Sequence, residues 1–423
     1  MNVPETNLPR VVIIGGGFAG LNLAKKLSSK HFQTVLLDRN NYHTFQPLLY
    51  QVATAGLEPD SIAHALRKIF SRKRRFHFRL AEVQTIEPQS NIIKTNIGDL
   101  SYDHLVMATG STTNFFGQET IKKKAMSMKS VPEALDIRSL ILENFERALL
   151  SSDIEERAKL MNVVIVGGGP TGVELAGAIA ELKKHVLPRD YPELDIRQMD
   201  IHLIEAAPRL LSSMSEKSSA ASKRFLEKLD VQVWLDKRVE AYDGDKVTIA
   251  DSPPVYTNTL IWAAGVKGCP IHGLDGELLT GNSRVKVDRF NRVANFTNIY
   301  AIGDLCQMST EDYENGHPMV AQVAIQQGIL LAKNLKAQAL GEEIQEFEYK
   351  DLGSMATIGR NKAVVDIGKF NSTGWFAWFI WMVVHIVQLV GFRNKLVVLM
   401  NWMYNYWHLS KDIRLIIRPF RRE

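Results

Sequence analysis

The chain has 423 residues, 45% hydrophobic and 23% charged, which suits two or three packed domains and excludes a disordered or fibrous polymer. A net charge of +5 gives only a weak general attraction to polyanions, and no nucleic-acid partner is expected. The two cysteines, Cys269 and Cys306, form no CxxC and no metal-ligand spacing, which argues against a disulfide scaffold, a zinc or iron–sulfur site and an oxidising compartment; no metal is expected.

Met1 leads through polar residues into "RVVIIGGGFAGLNLAKKL", with no basic and apolar leader of secretory type expected. This stretch reads as a β-branched strand, then Gly15, Gly17 and Gly20 in GxGxxG spacing, then a helix with an apolar stripe. Glycine suits a tight turn, a backbone that approaches a pyrophosphate, and a helix packed closely on a strand. The helix N-terminus then meets the phosphate charge. Asp38 ends a second strand, "QTVLLD", 18 residues after Gly20, where a carboxylate can accept ribose hydroxyls. The segment that follows, "NYHTFQPLLYQVATAG" from Asn41 to Gly56, reads as a loop and short helix and contains no cysteine.

The same grammar returns at "NVVIVGGGPTGVELAGAIAEL", with Gly167, Gly169 and Gly172, and with Glu205 at the end of "DIHLIE". Each copy closes alike: "HLVMATG" at Gly110, 95 residues after Gly15, and "TLIWAAG" at Gly265, 98 residues after Gly167. Matched spacing argues for two related doubly wound domains, each binding a dinucleotide. A third run, "NIYAIGDLC", ends in Gly303 and Asp304 after the second copy, so the chain is expected to return to the first domain and make it discontinuous. The predicted class is α/β, with two Rossmann-like doubly wound domains and a C-terminal helical membrane-anchoring segment. The predicted division is 1–118 with 283–340, then 119–282, then 341–423.

In "AQVAIQQG", Gln322 and Gln326 share a helix face while Ala321 and Ala324 permit close approach, in a helix predicted to open near Met319. The ending is chemically distinct. Five of the seven tryptophans lie after residue 374, and Arg393 to Glu423 carries seven basic residues against two acids. Trp375 to Phe392 has 18 residues without Asp, Glu, Lys or Arg, at the edge of transmembrane length, but His385 and Gln388 break its centre. Leu396 to Leu409 has 14 residues, too few to span, and "RNK" at Arg393 to Lys395 is predicted to join two helices. The basic, aliphatic tail suits a segment lying in the headgroup region with cations toward acidic lipid.

These residues resemble the two-dinucleotide-binding-domain flavoproteins over roughly residues 9 to 335. "NYHTFQPLLYQVATAGLEP", "GGGPTGVELAGAIAEL", "AQVAIQQG" and "DLGSMATIGRNKAVV" resemble segments of the single-subunit (type II) NADH:quinone oxidoreductases. The resemblance implies FAD on Gly15, Gly17, Gly20 and Asp38, with Gly110, Gly303, Asp304 and Ala321 closing over it and His43 and Gln51 beside the flavin. It implies a nicotinamide cofactor on Gly167, Gly169, Gly172, Glu205 and Gly265. A carboxylate at Glu205 repels a 2′-phosphate and so favours NADH, with Arg209 the one neighbour that works against that choice. Glu174 is similar to the family's acid near the nicotinamide and quinone sites. Gln322 and Gln326 would lie at the quinone headgroup, and the helix N-terminus would meet negative charge on the reduced flavin.

The absence of a cysteine pair near residues 40 to 50 removes a thiol relay to a disulfide. The resemblance implies a peripheral flavoenzyme of a respiratory chain. It would oxidise NADH through FAD, reduce a membrane quinone such as ubiquinone or menaquinone, and translocate no protons. The expected partners are the quinone, a bilayer surface contacted through residues 375–423, and a second copy of the chain. The expected place is the cytoplasmic side of a cell inner membrane, or an equivalent organelle membrane. Two readings stand beside it: a soluble reductase feeding a small redox protein, and an NADH-binding redox sensor without turnover.

Overall fold

The computed structural model describes residues 1–408 and 414–417. In chain order its principal elements begin with β1 (Arg10–Ile14), α1 (Phe18–Lys26), β2 (Gln33–Asp38), α2 (Leu49–Ala53), α3 (Pro59–Ile62), β3 (Phe76–Leu80) and β4 (His104–Met107). Next come β5 (Met126–Ser127), α4 (Val131–Leu150), β6 (Val163–Val166), α5 (Pro170–His185), β7 (Ile201–Ile204), β8 (Val231–Trp234) and β9 (Thr259–Trp262). The last third supplies β10 (Ile299–Ala301), α6 (Ala321–Leu340), the antiparallel strands β11 (Ser354–Thr357), β12 (Ala363–Ile367) and β13 (Phe370–Gly374), then α7 (Trp375–Gln388) and α8 (Phe392–His408).

The chain folds into two units, each assembled from three stretches: residues 1–44, 63–112 and 266–351, and residues 45–62, 113–265 and 352–423. In the first unit a five-stranded parallel sheet runs β10-β4-β1-β2-β3. Val11 to Ile14 are buried throughout, because a parallel sheet covered on both faces demands a continuous apolar run rather than an alternating one. The expected discontinuity is real: β10 returns from late in the chain to pair with β4, Ile299 opposite Leu105. The second unit repeats the arrangement as β5-β9-β6-β7-β8, also parallel.

What covers the sheets differs. In the first unit α6 lies on α1 so closely that a Cβ on Gly328 would sit 2.4 Å from the Ala19 carbonyl oxygen. In the second unit, β11 and the turn after it lie on α5, where a Cβ on Gly177 would come 2.8 Å from the Gly359 nitrogen. There α4 starts with a capping box: Ser130 Oγ accepts the Glu133 N–H, and Glu133 Oε2 accepts the Lys129 N–H at 2.8 Å.

The helical break near the C-terminus falls at Leu389 to Gly391, and Arg393 to Lys395 lie inside α8. This corrects the placement of the joint at "RNK". Gly391 has φ +86°, a value that favours glycine, so the turn forms there and not at the charged triplet. At 14 residues α7 is about 21 Å long, short of a hydrocarbon core of about 30 Å. Among the described residues no helix is long and apolar enough to cross a membrane. Both helices leave apolar side chains exposed at helical spacing, Trp375, Phe379, Val383 and Val387 on α7 and Leu396, Met400 and Met403 on α8. Of the tail, Arg414 to Ile417 is described. Arg414 pairs with Asp190, and the Ile417 backbone meets Ser139 Oγ. The rest of the tail's proposed lipid contact lies outside the described residues.

The contact between α1 and α6 sets a stability test. Gly328→Ala should lower stability by about 1–3 kcal/mol, as overpacking does, read as a lower thermal midpoint of the purified chain. An unchanged midpoint would mean that the two helices do not meet through bare backbone.

Candidate functional site

Each unit carries the same crest where its first strand meets its helix. In the first, the Gly15 N–H donates to the Leu37 carbonyl at 2.8 Å, and a Cβ on Gly20 would fall 1.9 Å from the Gly15 oxygen. In the second, the Gly167 N–H donates to the Ile204 carbonyl at 2.8 Å, and a Cβ on Gly172 would fall 1.9 Å from the Gly167 oxygen. The third glycine of each motif is thus required by contact between helix and strand turn. The second glycine is not: among the described residues nothing lies within 4 Å of a Cβ on Gly17 or Gly169. Open space above an N-terminus without a side-chain cap fits a phosphate, with backbone N–H groups as donors.

The acids are tied down in the same way. Asp38 accepts the Gly16 N–H at 2.6 Å and the Asn40 N–H at 2.7 Å. Glu205 accepts the Gly168 N–H at 2.5 Å and the Ala207 N–H at 2.7 Å. Burial pushes the Asp38 carboxyl up, opposed by those N–H groups and by Arg39. Each carboxylate oxygen has a second lone pair, so both acids remain able to accept a hydroxyl. Gly110 and Gly265 end β4 and β9 at matching φ values of +71°.

His43 sits at the first crest. Its Nδ1 lies 2.9 Å from the Gly16 carbonyl oxygen, and its ring meets the Phe18 ring edge-on at 5.1 Å. Burial pulls its pKa down to about 4, so the ring is neutral at pH 7. Because a carbonyl only accepts, Nδ1 carries the proton, leaving Nε2 as a buried acceptor without a hydrogen bond among the described residues. This geometry holds the glycine turn.

Below the crest, Ser111 Oγ donates to Asp304 at 2.6 Å, and the Gly303 N–H donates to Gln327 Oε1 at 2.7 Å. Sequence reasoning missed Gln327. It singled out the neighbouring Gln322 and Gln326, but Gln327 is the fully buried one, four residues after buried Val323 on the inward face of α6. That periodicity was the available signal. Its Nε2 is buried without a partner among the described residues. α6 starts at Ala321, two residues later than expected, because Val320 is extended and its N–H turns back to the Pro318 carbonyl. Gln322 Oε1 accepts from Tyr349 Oη at 3.4 Å. Gln326 is committed to the Lys350 backbone in both directions, Nε2 donating at 2.9 Å and Oε1 accepting at 3.0 Å.

In the second unit Glu174 lies buried on α5, two residues past the last motif glycine. Its Oε1 accepts the Thr357 N–H from β11 at 3.4 Å. Burial pushes the carboxyl up to about 8, against the pull of that N–H and of the Trp381 indole. The indole is near enough to favour the charged form, yet its N–H is buried without meeting hydrogen-bond geometry among the described residues. Gln51 is on α2 in this unit. It accepts from Trp402 Nε1 at 2.8 Å and donates to Tyr50 Oη at 2.8 Å.

Residues 9–328 match the pyridine nucleotide-disulphide oxidoreductase family, and residues 352–407 match the NDH2 C-terminal domain. The chain is 36% identical to the type II NADH:quinone oxidoreductase Ndh of Mycobacterium tuberculosis, over 94% of this chain and 88% of that protein. It is 30% identical to an internal alternative NAD(P)H-ubiquinone oxidoreductase of Solanum tuberosum, over 93% and 86%. Its fold superposes on NDH2 from Plasmodium falciparum with a TM-score of 0.88 at 23% identity, covering 97% of this chain and 100% of that one.

A folded-state pKa near 8 against an ordinary value of 4.5 means that Glu174 stays protonated in the fold where the unfolded chain has ionised it. The stability this contributes is complete below about pH 4.5 and is lost as pH rises to about 8. Glu174→Gln should therefore be stabilised over the parent by an amount that grows between pH 5 and pH 8, measured by thermal unfolding. An equal shift at both pH values would refute a buried protonated carboxyl.

Proposed function

This chain belongs to the type II NADH:quinone oxidoreductases, membrane-associated flavoenzymes that pump no protons, and we propose how its own residues divide that work. The observation that carries the proposal is the repetition of one acid-tied glycine crest in both units. Two crests provide for two dinucleotides.

The first unit would hold FAD. The open space at Gly17 and the α1 N-terminus take the pyrophosphate, Asp38 the ribose, and Asp304 the ribityl hydroxyls, with Gly303 and Gly110 leaving room for the ring system. The chemistry supplied there by a bound FAD would be hydride acceptance from NADH and two-electron reduction of quinone. His43 fixes the turn beneath the adenylate side. The uncapped N-terminus of α6 at Ala321 offers N–H groups and a positive dipole end to negative charge on the flavin. Gln322, which accepts from Tyr349 Oη in the first turn of α6, has its proposed place at the quinone carbonyl. Gln326 holds the segment bearing Tyr349 against α6.

The second unit would hold NADH on Gly167, Gly169 and Gly172, with Glu205 on the ribose and Gly265 at the nicotinamide end. A carboxylate already pinned by two N–H groups cannot swing away from a 2′-phosphate, which favours NADH over NADPH. Glu174, protonated near neutral pH, is a proton donor kept in an apolar setting for quinone reduction.

The exposed apolar faces of α7 and α8 rest on a bilayer surface without crossing it, as the reach for an apolar quinone requires. NADH is a soluble donor, so we place the enzyme on the face of the membrane that meets the NADH pool, which is the cytoplasmic side of a cell inner membrane or its organelle equivalent. We also propose a homodimer, in which part of the apolar helical face meets a second copy while the remainder meets lipid.

Anaerobic NADH should bleach the flavin band of the purified chain, and a short-chain quinone should restore it. A colourless chain, or a bleached one that quinone leaves bleached, would overturn the reading. Glu205→Ala should cut the preference for NADH over NADPH by roughly tenfold, in the ratio of kcat/KM values. For the membrane surface, Phe379→Glu combined with Val383→Glu should abolish co-flotation with liposomes while NADH still bleaches the flavin. Retained flotation would place the lipid contact elsewhere.

A further inference from the structure

Building on the role of Glu174 above, we propose that the Tyr50 hydroxyl is a further hydrogen-bond donor to the quinone oxygen, and that Trp402 positions it through Gln51. An indole N–H only donates. The Gln51 atom 2.8 Å from Trp402 Nε1 is therefore the carbonyl oxygen, which leaves its Nε2 to donate to Tyr50 Oη at 2.8 Å. Once Oη accepts from Gln51, the hydroxyl hydrogen is excluded from that bond and turns to another acceptor. The donor-only indole thus sets the direction of the chain: Trp402 to Gln51, Gln51 to Tyr50, and Tyr50 onward.

Where that donor acts follows from its neighbours. Tyr50 is buried on α2, which packs against α5, the helix that carries Glu174; burial, with the Glu174 charge next, drives its pKa far above the ordinary tyrosine value. The phenol consequently stays protonated and is a donor at every pH at which the enzyme works. Tyr50 and Glu174 are two buried oxygen acids able to meet one developing oxyanion in low dielectric, where such a bond is stronger than in water. Tyr50 keeps its proton throughout. It lends a hydrogen bond, while both electrons descend from NADH and the quinol protons come through Glu174 and solvent.

The anchor of the chain lies on a helix with an exposed apolar face. Trp402 is on α8, whose Met400, Met403 and Tyr404 are exposed, and α8 is fastened to α3 by Asn394 Nδ2 donating to the Asp60 carbonyl at 3.1 Å. The Trp402 ring is 5.3 Å from the Trp381 ring, which stacks at 4.3 Å on His385, and the Phe45 ring stands edge-on to His385. This aromatic wall holds the indole while the outer face of α8 meets lipid. The seating of α8 therefore bears on a hydroxyl of α2, the helix that packs on the one bearing Glu174.

The test uses the full-length holoenzyme under anaerobic stopped flow, following flavin reduction by NADH and reoxidation by a short-chain quinone separately. Gln51→Glu is the decisive variant. A carboxylate there accepts from both Trp402 and Tyr50, so it captures the tyrosine hydrogen, whereas Gln51→Leu merely removes the link. Tyr50→Phe and Gln51→Glu should slow reoxidation by roughly tenfold or more, and Gln51→Leu and Trp402→Phe by less. Flavin content, reduction by NADH and liposome flotation should match the parent in all four. Reoxidation of Gln51→Glu at the parent rate, or Gln51→Leu as slow as Gln51→Glu, would overturn the inference. Failure of the parent itself to be reoxidised by quinone would instead overturn the functional reading.

Discussion

Everything in this molecule hangs on a helix backbone pressed against the turn that precedes it. At Gly20 and again at Gly172 the helix comes so near the first motif glycine that a methyl group would overlap its carbonyl oxygen at 1.9 Å. That contact forces the helix N-terminus to sit directly over the strand end, so its free N–H groups point to one spot. The acid at the tip of the neighbouring strand then closes the turn by accepting the N–H of the middle glycine, Gly16 or Gly168. Helix, turn and second strand become one rigid corner, made twice.

The corners are alike and their coverings are not. In the first unit a late helix, α6, is laid on α1 through Gly328, and buried Gln327 ties it to Gly303. Those contacts bring an uncapped helix end to the crest. In the second unit the small residue Gly177 lets β11 and its turn close over α5, and the same packing seals Glu174 away from water. A carboxyl that would ionise on an open helix surface is thereby kept protonated to about pH 8. The functional difference between the halves lies in what is stacked on the helix after the glycine motif.

The fold class was legible because its signals are local and repeated. GxGxxG between a β-branched strand and an apolar helix, an acid at the next strand end, and a glycine closing a later strand recur at matching distances, and each is demanded by backbone contact. Discontinuity was legible too, since "NIYAIGDLC" follows a complete second domain and needs a sheet to join. Other features depend on tertiary partners and left no local mark. Gln326 and Gln327 are adjacent and chemically identical, and only the side of α6 that meets the core assigns one to the Lys350 backbone and the other to Gly303. The link from Gln51 to Trp402 joins residues 351 positions apart. The charged "RNK" between two apolar runs marks a joint in the sequence, whereas the backbone turns at Gly391, where φ is positive.

The missing cysteine pair ties the ending of the chain to its beginning. A flavoprotein that passes electrons to a thiol relay can meet a soluble acceptor at a distance from the ring, but here the stretch after β2 offers Tyr50 and Gln51 where a redox pair would stand in the relay enzymes. In the proposed reading the quinone takes its electrons from the flavin without a thiol relay. A membrane quinone asks for an apolar surface on the enzyme, and α7 and α8 leave one exposed among the described residues. On α7, Trp381 and His385 turn inward and Phe379 and Val383 outward, so one helix carries both an exposed apolar face and the indole near Glu174. The aromatic-rich ending thus supplies packing inside the second unit as well as an exposed apolar face.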